Sequence, residues 1–196
     1  GPEASADLFL GNSAGLVRLT ENTTLGLDTL NMTDTGAETV VEVQLNLPEG
    51  TILGNVNKLS PASKYEIKLP NGVAGIRGSR YRASSTFYIV LLDGLMVLVY
   101  VPPGGTPTPS TLGEAPPAVY FSPVEGIKPA PDDLVREVLG QFEKGLGPLE
   151  AGAPGDGLSI REGGRGMVGG KDGLKIEEGR GVIEDNNFVT PVLEKD

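Results

Sequence analysis

The sequence predicts a mainly β fold: a roll or solenoid-like stack of antiparallel strands with one capping helix and a Gly-rich C-terminal tail. Three observations carry this prediction. Gly occurs 29 times and Pro 16 times in 196 residues, well above average usage, which fills a chain with turns and works against long helices. Short apolar runs bounded by turn residues recur from Leu8 to Val101, the rhythm of an all-β domain. Only one segment, after Pro131, has the periodicity of an amphipathic helix.

Leu8, Phe9 and Leu10 run into Gly11-Asn12, residues 16–19 into Glu21-Asn22, and residues 25–30 toward Asp34-Thr35-Gly36. In residues 39–47, Val41, Val43, Leu45 and Leu47 alternate with Glu42, Gln44 and Asn46, the period of two that sets one strand face on a core. Pro48-Glu49-Gly50 turns this strand into residues 51–56. Residues 65–69 then lead to Asn71-Gly72, a dipeptide suited to tight hairpins because both residues tolerate positive φ. Gly72, Gly75 and Gly78 recur at every third position, which points to positive φ or close backbone approach rather than a regular strand. Residues 87–101 are apolar but split at Asp93-Gly94, and read as two buried strands, 87–92 and 95–101, joined in a hairpin.

Residues 102–117 contain Pro102, Pro103, Pro107, Pro109, Pro116 and Pro117, too much Pro for a central strand, and read as a linker or protruding loop. They fall inside a β domain spanning 8–126, to which residues 118–121 return as an edge strand. Pro131 with Asp132-Asp133 suits a helix start, and Leu134, Val135, Val138, Leu139 and Phe142 form one apolar stripe ending near Lys144 and Gly145, which sets a helix over 131–145 lying on the sheet. In the tail, 146–196, Asp156-Gly157-Leu158-Ser159-Ile160-Arg161-Glu162-Gly163 recurs as Asp172-Gly173-Leu174-Lys175-Ile176-Glu177-Glu178-Gly179. This two-copy repeat of sixteen residues is expected to add short strands or a hairpin to the β domain.

The missing residue types narrow the function. With no His and no Cys, the usual zinc sites, Ser-His and Cys-His nucleophiles, haem ligation and thiol redox chemistry are excluded. Gly164-Arg165-Gly166-Met167-Val168-Gly169 has the letters of a dinucleotide loop but no following helix to receive a pyrophosphate, and Gly170-Lys171 lacks the spacing of a P-loop. The acid pairs Asp132-Asp133, Glu177-Glu178 and Glu184-Asp185 fit a helix N-terminus and solvated turns. No enzyme, metal or cofactor is expected. A net charge of −10 disfavours nucleic acid and anionic lipid surfaces. No apolar run reaches the roughly 18–20 residues of a membrane-spanning helix. The start at Gly1-Pro2 suggests a tag scar or a processed fragment.

Charge is unevenly distributed. Residues 58–82 hold Lys58, Lys64, Lys68, Arg77, Arg80 and Arg82 against Glu66 alone, whereas residues 1–57 hold only Arg18 against eight acids. Lys68, Arg77, Arg80 and Arg82 are therefore candidates to receive an acidic partner, or else to pair with neighbouring acidic strands.

Residues 69–81, Leu-Pro-Asn-Gly-Val-Ala-Gly-Ile-Arg-Gly-Ser-Arg-Tyr, followed by Val90-Leu91-Leu92-Asp93-Gly94-Leu95-Met96-Val97, resemble the FecR-type domain, whose pattern is T-P-x-x-V-x-G-V-R-G-T-x-F and then V-x-E-G-x-V. Leu69, Ser79, Tyr81 and Asp93 stand where the family usually has Thr, Thr, Phe and Glu. The resemblance spans about residues 8–101. It implies a non-enzymatic, extracytoplasmic β module in which Gly72, Gly75, Arg77, Gly78 and Gly94 are structural, with Arg77 closing the turn by hydrogen-bonding carbonyls. Full regulators of this type add an anti-sigma segment, a transmembrane helix and a signalling domain, none of which is read here.

The expected function is thus a protein-interaction module of the bacterial envelope, periplasmic or extracellular, acting on a protein partner or on itself. Three alternatives stand beside it. One is a structural subunit that joins neighbouring copies through open sheet edges, and another is the periplasmic part of a sigma-factor regulator. The third is a glycan-binding domain using Tyr65, Tyr81, Phe87, Tyr88, Tyr100 and Tyr120 as an aromatic platform.

Overall fold

A computed structural model describes residues 4–11, 13–143, 159–162, 165–170 and 173–174. Among them the chain is mainly β, a single curled sheet with one helix, as expected. The strands are β1 (Ala6–Phe9), β2 (Leu16–Leu19), β3 (Thr24–Asp34), β4 (Thr39–Glu49), β5 (Thr51–Asn55), β6 (Lys64–Leu69), β7 (Gly72–Ser84), β8 (Ile89–Tyr100), β9 (Thr108–Ala115), β10 (Val119–Ser122) and β11 (Gly126–Pro129). Helix α1 (Asp132–Glu143) follows, then β12 (Ser159–Glu162), β13 (Arg165–Gly170) and β14 (Gly173–Leu174).

The long hairpin β7–β8 organises the sheet. The first half of β7 pairs with β6 and its second half with β5; β8 likewise pairs with β10 through its first half and β9 through its second. One arm therefore runs β11-β10-β8-β7-β5-β2-β1-β12-β13-β14, and the other carries β9, β6, β4 and β3. The pairings are antiparallel except that β4 and β6 run parallel, which the length of the connection between them permits.

Four sequence readings are corrected here. Residues 72–79 run as a strand, with a bulge between Ile76 and Ser79, although the positive φ expected of this stretch holds at Gly72 and Gly78. Asp93-Gly94 is not a hairpin turn, because β8 continues through it as the facing bulge and the chain reverses at residues 85–88 instead. The Pro-rich loop contains β9, which lies against β8 with Leu112 and Ala115 buried. An edge strand accepts Pro109 where a central strand would lose a ladder bond. Residues 119–122 are flanked by β8 and β11 and so do not form an edge.

Two cores lie on opposite faces. Val41, Val43, Leu45, Leu47, Ile52, Ile67, Ile89, Leu91 and Met96 fill the concave side. Leu53, Val90, Leu92 and Tyr120 face the other way and receive Val138 and Phe142 of α1. Because residues 89–92 are buried on both faces, they read as an unbroken apolar run rather than an alternation. The helix packs on its own sheet as its stripe predicted, and each of its two fully seated side chains contributes about 1.5–3 kcal/mol. The first tail repeat supplies β12, which pairs antiparallel with β1, Leu8 opposite Ile160. Most of the second copy, with Lys144 and Gly145, lies outside the described residues.

Candidate interaction surfaces

The residues carrying the FecR resemblance converge on the double bulge of β7 and β8. Gly78 and Gly94 both have positive φ, +86° and +89°. A Cβ on Gly94 would lie 2.1 Å from the Gly78 carbonyl oxygen, and one on Gly78 would lie 2.7 Å from Lys58 Cα. Both glycines are required by conformation and by space. Gly72, at the start of β7 where the chain turns from β6, is similarly crowded by the Val99 carbonyl. Gly75 is not: its φ is ordinary and its nearest neighbour would be 3.7 Å away, which corrects the reading of it as an obligate glycine. Arg77 Nη1 donates to the carbonyls of Pro61 and Ser63, each at 3.2 Å. This is the carbonyl-binding role the resemblance implied, and it ties the β5–β6 loop to the bulge.

Arg77, Arg80 and Arg82 share the outer face of β7, since they alternate with buried Ile76, Ser79, Tyr81 and Ala83 across the bulge. Lys68 lies on neighbouring β6 opposite Val73. Each basic side chain is engaged within the chain. Lys68 Nζ reaches Asp28 at 2.8 Å, Arg80 pairs with Asp93, and Arg82 Nη1 meets Glu137 of α1 at 2.7 Å. The basic island therefore fastens the acidic strand β3 to β6 and the bulge and the helix to β7, each pair being partly exposed and individually modest in strength.

The more deeply built ionic group went unread in the sequence. Arg18, the one base in the first 57 residues, lies opposite Asp7 on adjacent strands. Its Nε and Nη2 donate to the two carboxylate oxygens at 2.7 and 2.8 Å. Its Nη1 donates to the carbonyls of Phe142 at 3.0 Å and Gln141 at 3.2 Å, at the C-terminus of α1. The side chains are 3% and 6% exposed. The guanidinium thus neutralises a buried carboxylate while satisfying carbonyls that a helix end leaves without partners. Its isolation among acids was the available signal.

The aromatic platform does not form. Tyr65, Tyr81, Phe87 and Tyr120 are buried, while Tyr88 stacks on Tyr120 beneath Arg82. Aromatic bulk goes to the cores because the chain has no Trp and few large side chains to fill them. Tyr65 and Tyr81 seal their hydroxyls inside without a hydrogen-bond partner of good geometry. Burial pushes the ionisation of both well above the usual tyrosine range. At the surface end of its ring, Tyr120 donates to Glu125 at 2.8 Å, and Lys128 approaches the same carboxylate at 2.9 Å. The hydrogen bonds from Lys128 and then Tyr120 hold Glu125 below the usual carboxylate range, and the bond to Glu125 raises Tyr120.

Strand edges are treated unequally. The edge of β1 is covered by β12, β9 carries Pro109, and β11 is four residues long with Lys128 and Pro129. These are the usual ways of protecting an edge from unwanted pairing. Strand β3 has eleven residues with no Pro, Lys or Arg, and among the described residues it pairs with β4 alone. Its first half is bulged between Thr24 and Gly26 and again between Leu27 and Thr29, after which the register is regular to Asp34.

No protein-family model, no curated protein and no solved structure matches the chain. No helix among the described residues is long and apolar enough to cross a membrane.

Proposed function

We propose that this chain is a non-enzymatic, FecR-like protein-interaction module of the bacterial envelope that works outside the cytoplasm. The observation that carries the reading is the regular half of the β3 edge, which among the described residues is unprotected on a sheet whose other edges are covered, short or interrupted by Pro. Lys68, Arg77, Arg80 and Arg82 serve chiefly to hold the fold, and the partner is taken up at the edge. Backbone groups on a rigid sheet recognise an extended segment without any catalytic residue.

In vivo photo-crosslinking tests this. The full chain carries a photoreactive amino acid at Thr33, on the β3 edge, or at exposed Thr106, in the loop between β8 and β9. The reading predicts one discrete adduct in the envelope fraction from position 33 and none from position 106. Equal labelling at the two sites, or adducts only with cytosolic proteins, contradicts it.

A further inference from the structure

We propose that residues 29–34 of β3 accept, as an added strand, an extended partner segment in which apolar residues alternate with Lys or Arg. This rests on the interaction-module reading and names the chemistry of the partner.

The direction of the edge's backbone groups follows from the register. Thr35 N donates to the Glu38 carbonyl across the Gly36-Ala37 turn, and Thr33, Asn31 and Thr29 lie opposite Val40, Glu42 and Gln44 without a register shift. In an antiparallel ladder, residues of one parity exchange bonds with the partner strand and those of the other parity point away. Thr29, Asn31 and Thr33 thus bond to β4, while Leu30, Met32 and Asp34 turn their N–H and C=O groups to the open side. Val41, opposite Met32, agrees: its N–H points away from β3 and donates to Ser63 Oγ at 2.9 Å.

Side chains set what kind of strand fits. Leu30 and Met32 lie opposite buried Val43 and Val41, so they face the concave side; Leu30 packs on the core and Met32 is 41% exposed. A strand added here sets every second residue beside Leu30 and Met32, which calls for apolar side chains. The intervening residues lie beside Thr29, Asn31 and Thr33, with Glu42 one strand behind. The β3–β4 ribbon carries Asp28, Asp34, Glu38, Glu42 and Glu49 and no base. Lys68 engages Asp28, but among the described residues no Lys or Arg pairs with Asp34, Glu38 or Glu42. Asp34 shares the face of Leu30 and Met32, so the intervening cations address the opposite face, where they extend across β3 toward Glu42, which Asn31 also meets at 3.5 Å, and toward Glu38 beyond the Gly36-Ala37 turn. A second copy brings the same acidic ribbon, and like charges set side by side are repelled.

The test uses the full chain and a fluorescent peptide of four Lys-Val repeats, followed by anisotropy. Saturable binding is expected, weakening with salt and absent when Glu replaces Lys. Met32→Pro removes an outward N–H and should weaken binding by about tenfold or more, whereas Met32→Ala keeps that N–H and should stay within about threefold. Peptides N-methylated on Val or on Lys test the same bond without altering the protein. Loss with methyl-Val alone means antiparallel addition and loss with methyl-Lys alone means parallel addition; either supports the proposal. Loss with both or with neither overturns it. So does equal binding by a folded Met32→Pro variant, no saturation up to about 1 mM, or a dimer of the chain that Met32→Pro dissolves. If the peptide fails while the adduct at position 33 still forms, the partner chemistry is wrong and the module reading stands.

Discussion

Replacing Arg18 by Met keeps length and apolar character but removes the charge between β1, β2 and α1. It removes the cation paired with the Asp7 carboxylate, 6% exposed, and withdraws a donor from the carbonyls of Gln141 and Phe142. Breaking a buried pair from one side costs about 3–5 kcal/mol, chiefly because an uncompensated charge remains, against about 5–15 kcal/mol for the whole of a typical domain. Removing both charges avoids that penalty, so the double variant Asp7→Leu/Arg18→Met should recover about 2 kcal/mol or more relative to Arg18→Met alone. Arg18→Lys should fall between the wild type and Arg18→Met, since an ammonium cannot bridge both carboxylate oxygens in a planar fork. Urea titrations of the wild type, Asp7→Leu, Arg18→Met and the double variant, analysed as a double-mutant cycle with Arg18→Lys measured alongside, provide the measurement. A loss below about 1 kcal/mol for Arg18→Met, or single-site costs that simply add in the double variant, would refute the reasoning.

Three further outcomes follow from the geometry. Gly94→Ala and Gly78→Ala should each cost about 2 kcal/mol or more through positive φ and backbone collision, while Gly75→Ala should be neutral or slightly stabilising in a strand; thermal melts separate the two classes. Glu125 should titrate below 4.5 in carboxyl NMR. Because its folded value is depressed, its stabilising contribution is present above the unfolded value and lost as pH falls through the folded one, and Glu125→Gln should bring the Tyr120 titration back toward 10. Tyr65 and Tyr81 should remain protonated as pH rises past 10, their ordinary value. The unfolded chain releases those protons first, so stability falls from that pH upward; ultraviolet titration should show both ionising with unfolding, and reversible ionisation of all five tyrosines in the folded protein would contradict their burial.

The strand rhythm was legible wherever one face meets water, as in residues 39–47. It failed where burial is two-sided. Residues 87–101 offered only Asp93-Gly94 as punctuation, and a bulge has the same residue types as a turn. The Pro-rich stretch misled because composition does not distinguish an edge strand from a loop: Leu112 and Ala115 carry the pairing face between prolines. Of the candidate site, Arg77's carbonyl contacts were legible through the family resemblance, whereas the partners of Lys68, Arg80 and Arg82 lie 40, 13 and 55 residues away and depend on which strands become neighbours. The exposed edge of β3 follows from topology alone.

Amide hydrogen exchange at residues 29–34 tests the central claim most directly. In the free chain Leu30 and Met32 should exchange rapidly while Thr29, Asn31 and Thr33 are protected by β4, and saturating Lys-Val peptide should slow Leu30 and Met32 selectively. Protection of Leu30 and Met32 in the free chain, or no added protection at saturation, would contradict the account of β3 as an open docking edge.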